Sequence, residues 1–139
     1  MKCHEVMSYD PVSCLPNETV GQVARTMRRE HTGAVPVVSD ERDRSLVGIL
    51  TDRDLATKLV AESRDPNQTL VYDIMTRVVV ACRDEDDLSS ALMAMEEHDI
   101  KRIPVVDGAG QLVGMISQRD VSTRYPWRLH VVTDQYQAA

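Results

Sequence analysis

The apolar residues of this chain change their spacing in a fixed order, and that order occurs twice. A spacing of three and four residues, which is typical of one buried helix face, appears once in each half. Its members are Val20, Val23, Ala24 and Met27, and then Leu88, Ala91, Leu92 and Met95. Thr19 and Asp87 precede these stretches and are suitable N-caps, and Thr19 with Gln22 forms a capping-box pattern. We therefore predict one main helix after each cap.

Two β-rich stretches follow each of these helices. They are AVPVV (34–38) and SLVGILT (45–51) in the first half, and RIPVV (102–106) and LVGMIS (112–117) in the second. A polar turn lies inside each pair and predicts a hairpin-type connection. Shorter stretches around Val12 and over 78–82 predict one more strand before each main helix. A closing helix is predicted to begin at Thr51–Asp54, and its counterpart at Ser117–Asp120.

A shift of 68 residues aligns the two halves of the chain. It brings Val6-Met7-Ser8 onto Ile74-Met75-Thr76, and a two-residue gap later brings GILTDRDL (48–55) onto GMISQRDV (114–121). Each half is too small to bury its apolar face alone, and two copies packed together can do so. The sequence predicts an α/β fold with strand-helix-strand-strand-helix order, twice. We assign repeat 1 to 6–62, a linker to 63–73, repeat 2 to 74–125 and a C-terminal tail to 126–139.

Composition narrows the classes of protein to consider. The 139 residues carry a net charge of −6, which argues against a dedicated nucleic-acid binder. We find no apolar run of the ~20 residues that a membrane span needs and no signal-peptide pattern at the start. The three cysteines are widely spaced, unlike a secreted disulfide framework. These features predict a soluble, cytoplasmic protein.

The repeated motif Thr51-x-x-Asp54 has two chemical interpretations. The hydroxyl and the carboxylate can cap the helix that begins there. A helix start also favours anions, and an aspartate there can accept both hydroxyls of a ribose. One helix start can serve both roles, so the residues alone leave both open.

The motif, preceded by an apolar-Pro-Val-Val strand and a helix, resembles the cystathionine-β-synthase (CBS) domain, and two in tandem resemble a CBS pair, or Bateman module. The resemblance covers about Val6 to Tyr125, and the linker sequence DPN (65–67) is similar to that of small hypoxic-response proteins. It implies two repeats related by a pseudo-twofold, with ligand clefts where the repeats meet. It also implies a homodimer and a regulatory role through an adenosine-containing nucleotide such as AMP, ADP or ATP.

The same resemblance assigns roles to particular residues. Asp54 and Asp120 would hold ribose, with Thr51 and Ser117 assisting. Lys101 and Arg102 would contact phosphates, because arginine suits bidentate phosphate contacts. The resemblance implies that they contact the nucleotide whose ribose is held by Asp54. The matching residues of repeat 1, Gly33-Ala34, are uncharged, so the two clefts are predicted to be unequal. The predicted adenine walls, by analogy, are Val12, Val35, Val80 and Ile103.

Catalysis, metal binding and protein interaction are the other functions to consider for this sequence. The sequence contains no Gly-rich phosphate loop of the GxxxxGK type, and Cys3-His4 lacks a second pair of metal ligands. We therefore predict no catalysis, no metal site and no required cofactor. A ligand-free, dimeric interaction module that acts on an unidentified protein target is the alternative. Cys14 and Cys82 occupy matching places, so that module could respond to redox state, although burial of the two thiols is favoured.

Overall fold

The structure, a computed structural model, describes residues 1–124, so the predicted tail lies outside the described residues. In chain order the elements are a 3₁₀ turn (Cys3–Glu5), β1 (Ser8–Tyr9), α1 (Val20–Glu30), β2 (Ala34–Val38), β3 (Leu46–Thr51), α2 (Asp52–Asp54) continuing as a π-helical turn (Leu55–Val60), α3 (Val71–Ile74), β4 (Cys82–Arg83), α4 (Leu88–Glu97), β5 (Arg102–Val106), β6 (Leu112–Ser117) and α5 (Gln118–Arg124). The mixed α/β class and the two main helices agree with the prediction.

These elements form two compact units. The first-repeat unit contains Pro11–Val79 and Val106–Leu112. The second-repeat unit contains Met1–Asp10, Val80–Val105 and the residues from Val113 on. Each unit thus includes a short segment from the other half of the sequence.

The predicted caps begin the main helices. Thr19 Oγ1 accepts from the Gln22 N–H at 3.2 Å, and Gln22 Oε1 accepts from the Thr19 N–H at 2.8 Å. Asp87 Oδ1 accepts from the Ser89 N–H at the start of α4. Val20, Val23 and Met27 are buried on α1, as their spacing predicts, and Leu88, Ala91 and Met95 are buried on α4. The helical period therefore identified the core face of both helices.

The sheets have the same order in both units. In the second-repeat unit the order is β1-β6-β5-β4. In the first-repeat unit β2 and β3 pair antiparallel, with Cys14 bridged to β2 at Val37 and Thr76 bridged to β3 at Ile49. The strand predicted around Val12 is therefore reduced to a single bridge at Cys14, and its counterpart to the two residues of β4. Neither stretch is long enough to form a full ladder.

The edge segment of each sheet comes from the other half of the sequence. Ser8 and Tyr9 pair with Met115 and Gly114 of β6, more than 100 positions later. Thr76, at the start of the second repeat, exchanges two backbone hydrogen bonds with Ile49 of β3 at 2.8 and 2.9 Å. This exchange places a hydroxyl residue, Ser8 or Thr76, beside the β-strand that leads into each motif helix.

The segment that joins the repeats is ordered against α1. The Val20 N–H donates to Thr69 O at 2.8 Å, and the Gly21 N–H donates to Pro66 O at 2.9 Å. Thr69 is buried, and its hydroxyl donates to Asp65 O. These bonds satisfy helix N-terminal donors that would otherwise need water or side chains.

Within residues 1–124, no helix combines the length and the apolar character that crossing a bilayer requires.

Candidate functional site

Thr51 and Asp54 lie where β3 turns into α2. Thr51 Oγ1 accepts from the Asp54 N–H at 3.1 Å, and Asp54 Oδ2 accepts from the Thr51 N–H at 3.0 Å. This reciprocal pair is a capping box. Asp54 is only 5% exposed, so its carboxylate is held in a fixed orientation inside the first-repeat unit.

The carboxylate of Asp54 has two further partners. Thr76 Oγ1 donates to it, at 2.9 Å from Oδ1 and 3.2 Å from Oδ2. Lys58 Nζ lies 2.9 Å from Oδ1, which forms an ion pair four residues along the same helical stretch. Burying a carboxylate is tolerated when it is paired and hydrogen-bonded in this way. The arrangement can accept hydroxyl hydrogen bonds, because a carboxylate offers about four acceptor positions.

Gly48, the first residue of the repeated motif, is required by close packing. A Cβ at this position would lie 2.7 Å from Met75 Sδ and 3.1 Å from the carbonyl oxygen of Thr76. The glycine therefore lets the segment that carries Thr76 approach β3. Gly48 thus allows the Thr76 hydroxyl to come within hydrogen-bonding distance of Asp54.

The second copy of the motif has a similar arrangement, but its carboxylate, Asp120, is less buried. Ser117 is buried, and its Oγ accepts from the Asp120 N–H at 3.0 Å. Ser8, which aligns with Thr76, places its Oγ 3.5 Å from Asp120 Oδ2. A Cβ at Gly114 would clash with Met7, just as a Cβ at Gly48 would clash with Met75. Asp120 is half-buried, so its carboxylate is more accessible than that of Asp54.

Lys101 and Arg102 lie at a cavity of about 370 Å³ within the second-repeat unit. The Gln118 N–H donates to Lys101 O at 2.9 Å and holds the start of α5 beside β5. The residues that line the cavity are Lys101, Arg102, Ser117, Gln118, Arg119 and Ser122. Three of the six are cations and two carry hydroxyls, which is a set suited to an anionic group.

The matching place in the first-repeat unit has a different charge. The Asp52 N–H donates to Gly33 O at 2.8 Å, the same backbone contact as in the second copy. A Cβ at Gly33 would lie 2.5 Å from Asp52 Oδ2, so the acidic side chain fills the space above the glycine. The two copies are therefore unequal in charge here. The predicted pairing of Lys101 and Arg102 with Asp54 joins residues of different units and stays a prediction.

The four predicted adenine walls lie in different environments. Val35 and Ile103 are fully buried in the cores of their units, and Val80 packs partly buried against the second core. Val12 is 36% exposed. Core packing accounts for the two buried residues, and the adenine contact stays a prediction for all four.

Cys14 and Cys82 are buried, as favoured from the sequence. Burial raises the pKa of Cys14 to about 12 and also raises the pKa of Cys82. Cys82 lies in the same core cluster as Cys3, a neighbour that the sequence did not indicate, and its Sγ lies 3.8 Å from Pro104 O. Thiols with raised pKa values are poor nucleophiles at neutral pH. The redox alternative through Cys14 and Cys82 stays a prediction.

Sequence reasoning missed Thr76, Lys58 and Ser8. A signal for two of them was present, because the 68-residue shift already aligns Ser8 with Thr76. Their sequence distance from Asp120 and Asp54 hid their role. Lys58 follows Asp54 by four residues, the spacing at which helical side chains meet.

Comparison with known proteins gives the following relatives. CBS domain-containing protein YhcV of Bacillus subtilis is 34% identical over 118 residues, which cover 85% of this chain and 81% of that protein. The chain spans 66% of protein MK0525 of Methanopyrus kandleri, at 30% identity. It spans 24% of the length of an inosine-5'-monophosphate dehydrogenase of Methanocaldococcus jannaschii.

Solved structures of CBS pairs have the same fold. The crystal structure of Hypoxic Response Protein I with two coordinated zinc ions matches with a TM-score of 0.78 at 28% identity, over 88% of this chain and 98% of that one. The CBS domain pair of protein MJ0100, in complex with 5'-methylthioadenosine and S-adenosyl-L-methionine, matches with a TM-score of 0.77 at 26% identity. The match covers 92% of this chain and 98% of that one.

The family model described as CBS domain matches residues 3–61 and again residues 71–126. These two matches include both Thr/Ser-x-x-Asp helix starts and both hydroxyl residues, Ser8 and Thr76, that face them. The chain belongs to the CBS domain family and carries two copies of the domain.

Proposed function

We propose that this chain is a regulatory, non-catalytic module that binds an adenosine-containing nucleotide and so responds to energy or metabolic state. Asp54 would accept the ribose diol in one site and Asp120 in the other, with Thr51 and Ser117 assisting. The observation that carries the proposal is the buried Asp54 carboxylate, whose side-chain partners are a hydroxyl and an ammonium. Its surroundings provide hydrogen-bonding groups where an ordinary core would be apolar.

The charge of the cavity supports a ligand with phosphate groups, and the family supports a ligand that contains adenosine. The cavity lined by Lys101 and Arg102 presents these two cations to phosphate oxygens. The structurally similar MJ0100 pair holds 5'-methylthioadenosine and S-adenosyl-L-methionine, and both of these ligands contain adenosine. The adenine walls proposed are Val12, Val35, Val80 and Ile103. We further propose that the protein is a homodimer and acts on a protein target in the cytoplasm. It would need no metal or cofactor.

A thermal-shift panel tests this proposal. The purified protein is heated with AMP, ADP, ATP, S-adenosylmethionine, 5'-methylthioadenosine, NAD and GTP, each at a series of concentrations. A ligand at 100 times its Kd stabilises the folded state by about 2.7 kcal/mol, which shifts the Tm of a domain of this size by several degrees. We expect a rise with at least one adenosine-containing ligand.

Two variants locate the site. Asp54→Asn should abolish the shift for the ligand bound in the first-repeat unit, because the amide can no longer accept from both hydroxyls. Glu41→Gln, the same charge change on the exposed hairpin turn, should leave the shift intact. If no ligand in the panel moves the Tm, the proposal fails and Thr51 and Asp54 serve as a helix cap.

The ligand-free interaction module remains the second candidate, and one observation favours it. The Asp54 carboxylate already has internal partners on both oxygens, so its burial is accounted for without a ligand. Both candidates are expected to be dimers, which sedimentation checks, and the thermal-shift panel separates them. A dimer whose Tm no nucleotide changes supports the interaction module.

A further inference from the structure

Lys58 is held in place by three acceptors. Its Nζ lies 2.9 Å from Asp54 Oδ1, 3.2 Å from Ile74 O and 3.4 Å from Thr76 Oγ1. An ammonium carries three N–H donors, so its hydrogen-bonding capacity is used completely. This side chain is therefore an ordered part of the site.

Most acceptor positions of the Asp54 carboxylate are occupied as well. Oδ2 accepts from the Thr51 N–H, the Thr76 hydroxyl lies between both oxygens, and Lys58 occupies Oδ1. A ribose diol that binds a carboxylate needs acceptor positions for two hydroxyls. Three donors already share about four acceptor positions, so one position at most is left for a hydroxyl, and the second hydroxyl of the diol competes with the ammonium for Oδ1.

Of the partners of Asp54, Lys58 is the one that can leave most easily. The Thr51 N–H belongs to the helix cap, and Thr76 is fixed by its backbone bonds to Ile49. The Lys58 side chain is 44% exposed and has a long, flexible stem. It also borders a cavity of about 430 Å³ whose lining includes the carboxylate of Glu62, which can receive a displaced ammonium. The other lining carboxylate, Asp73, is already paired with Arg64 at 3.7 Å.

We propose that Lys58 determines ligand affinity as an internal competitor: it neutralises Asp54 in the free protein, and a nucleotide must displace its ammonium to bind through the ribose diol. This inference rests on the proposed function, because it concerns the same carboxylate. Affinity is then reduced by the contacts that Lys58 gives up, and a change at this one residue resets it.

Removing the competitor should tighten binding. Lys58→Met keeps much of the aliphatic stem and deletes the charge. It also leaves the buried carboxylate of the free protein without its counter-ion, which further favours the bound form. Hydrogen bonds to charged groups are strong enough that we expect the Kd to fall about tenfold. Lys58→Arg keeps a cation at this position and should stay near the wild-type affinity.

The test is calorimetric titration of the full chain with AMP and with 2′,3′-dideoxy-AMP, which lacks the diol. The proteins are wild type, Lys58→Met, Lys58→Arg and the control Arg28→Met, which removes an exposed cation from the end of α1. We expect Lys58→Met to tighten AMP binding about tenfold and to leave dideoxy-AMP unchanged. Arg28→Met should affect neither ligand.

Each other outcome has a definite meaning. If wild type binds AMP and Lys58→Met binds it equally or more weakly, the competitor role is wrong while the proposed function stands. If the gain is the same for dideoxy-AMP, competition with the diol is wrong. If neither protein binds AMP, the inference fails, and the thermal-shift panel decides the proposed function separately.

Discussion

At the scale of single residues, the site depends on small groups that allow a close approach. Gly48 is the clearest case, because its missing side chain leaves room for Met75 and the carbonyl of Thr76. A glycine at the start of such a motif could be taken for a phosphate-binding residue. Its neighbours in the structure show that it serves packing, and through packing the position of the Thr76 hydroxyl.

Gly48→Ala should therefore lower the free energy of unfolding by about 1–3 kcal/mol, the usual cost of overpacking. The added methyl group would meet Met75 Sδ at 2.7 Å and a backbone oxygen at 3.1 Å, and the backbone atom cannot easily move away. Urea unfolding measures the change. Gly108→Ala is the control, because a Cβ there has nothing within 4 Å. Equal effects at the two glycines would refute the packing explanation.

The buried thiols predict how stability depends on pH. Burial raises the pKa of Cys14 from 9.0 to about 12, so the folded protein keeps this proton where the unfolded chain has lost it. The unfolded state then binds fewer protons, and stability falls as pH rises above about 9 toward 12. The contribution is fully present below pH 9.

This slope can be measured by chemical unfolding between pH 8 and pH 10.5. Cys14→Ala should flatten it, because the variant has no thiol to ionise at that position. His31→Ala, which replaces an exposed side chain and leaves all three thiols in place, should keep the wild-type slope. A slope that is unchanged in Cys14→Ala would show that this thiol does not set the alkaline limit.

At the scale of elements, α1, α4, the starts of the two motif helices and the four longer strands could be predicted from spacing and caps, whereas α3 and the edge segments could not. Val20, Val23 and Met27 repeat over a full helix face, so their period is visible in the sequence. β1 has only two residues, and no period can be recognised in two positions. Its partner β6 lies more than 100 residues away, so neither local spacing nor turn chemistry indicates the pairing.

The same limit applied to the candidate site. Thr51 and Asp54 are three residues apart in one motif, and their mutual hydrogen bonds follow from that spacing. Thr76 reaches Asp54 only because its segment pairs with β3. Residue type and local spacing therefore predict the part of a site that one element builds, and miss what a distant segment adds.

The C-terminal end of α1 offers a test at the element scale. His31 ends the helix in the left-handed conformation, with φ 53° and ψ 45°, which disfavours a side chain with a Cβ. His31→Gly should raise the free energy of unfolding by about 1 kcal/mol. His98 ends α4 with φ −99°, so His98→Gly relieves no such strain and should stabilise nothing. A gain at both positions, or at neither, would contradict this explanation of the helix end.

At the scale of the whole molecule, the two copies of the motif differ in the burial of their aspartate and in the charge of the side chains around it. The first-repeat unit carries the buried, internally paired Asp54. The second-repeat unit carries the more open Asp120 and the cavity with three cations. A duplicated fold keeps the same backbone contacts, as the Gly33–Asp52 and Lys101–Gln118 pairs show. Side-chain charge is free to change on that constant backbone, so the two copies are expected to differ in affinity for anions.

This asymmetry makes a prediction about phosphate. Replacing both Lys101 and Arg102 by Gln should weaken binding of ATP by tenfold or more, because two charge-assisted contacts are lost. Binding of 5'-methylthioadenosine, which has no phosphate, should change little. The loss should be largest at low ionic strength, since salt screens the same charges in the wild type. Calorimetric titrations at 50 and 300 mM salt measure both effects.

Arg28 and Arg29 provide the matched control, because they are also adjacent cations and lie exposed at the end of α1. Replacing both by Gln removes the same formal charge from the protein and should leave ATP binding and its salt dependence almost unchanged. Similar losses in the two double variants would mean that only net charge matters. A loss confined to Lys101 and Arg102 that affects 5'-methylthioadenosine equally would mean that the pair supports the fold and does not bind phosphate. A loss confined to ATP would place the phosphate contacts in the second-repeat unit.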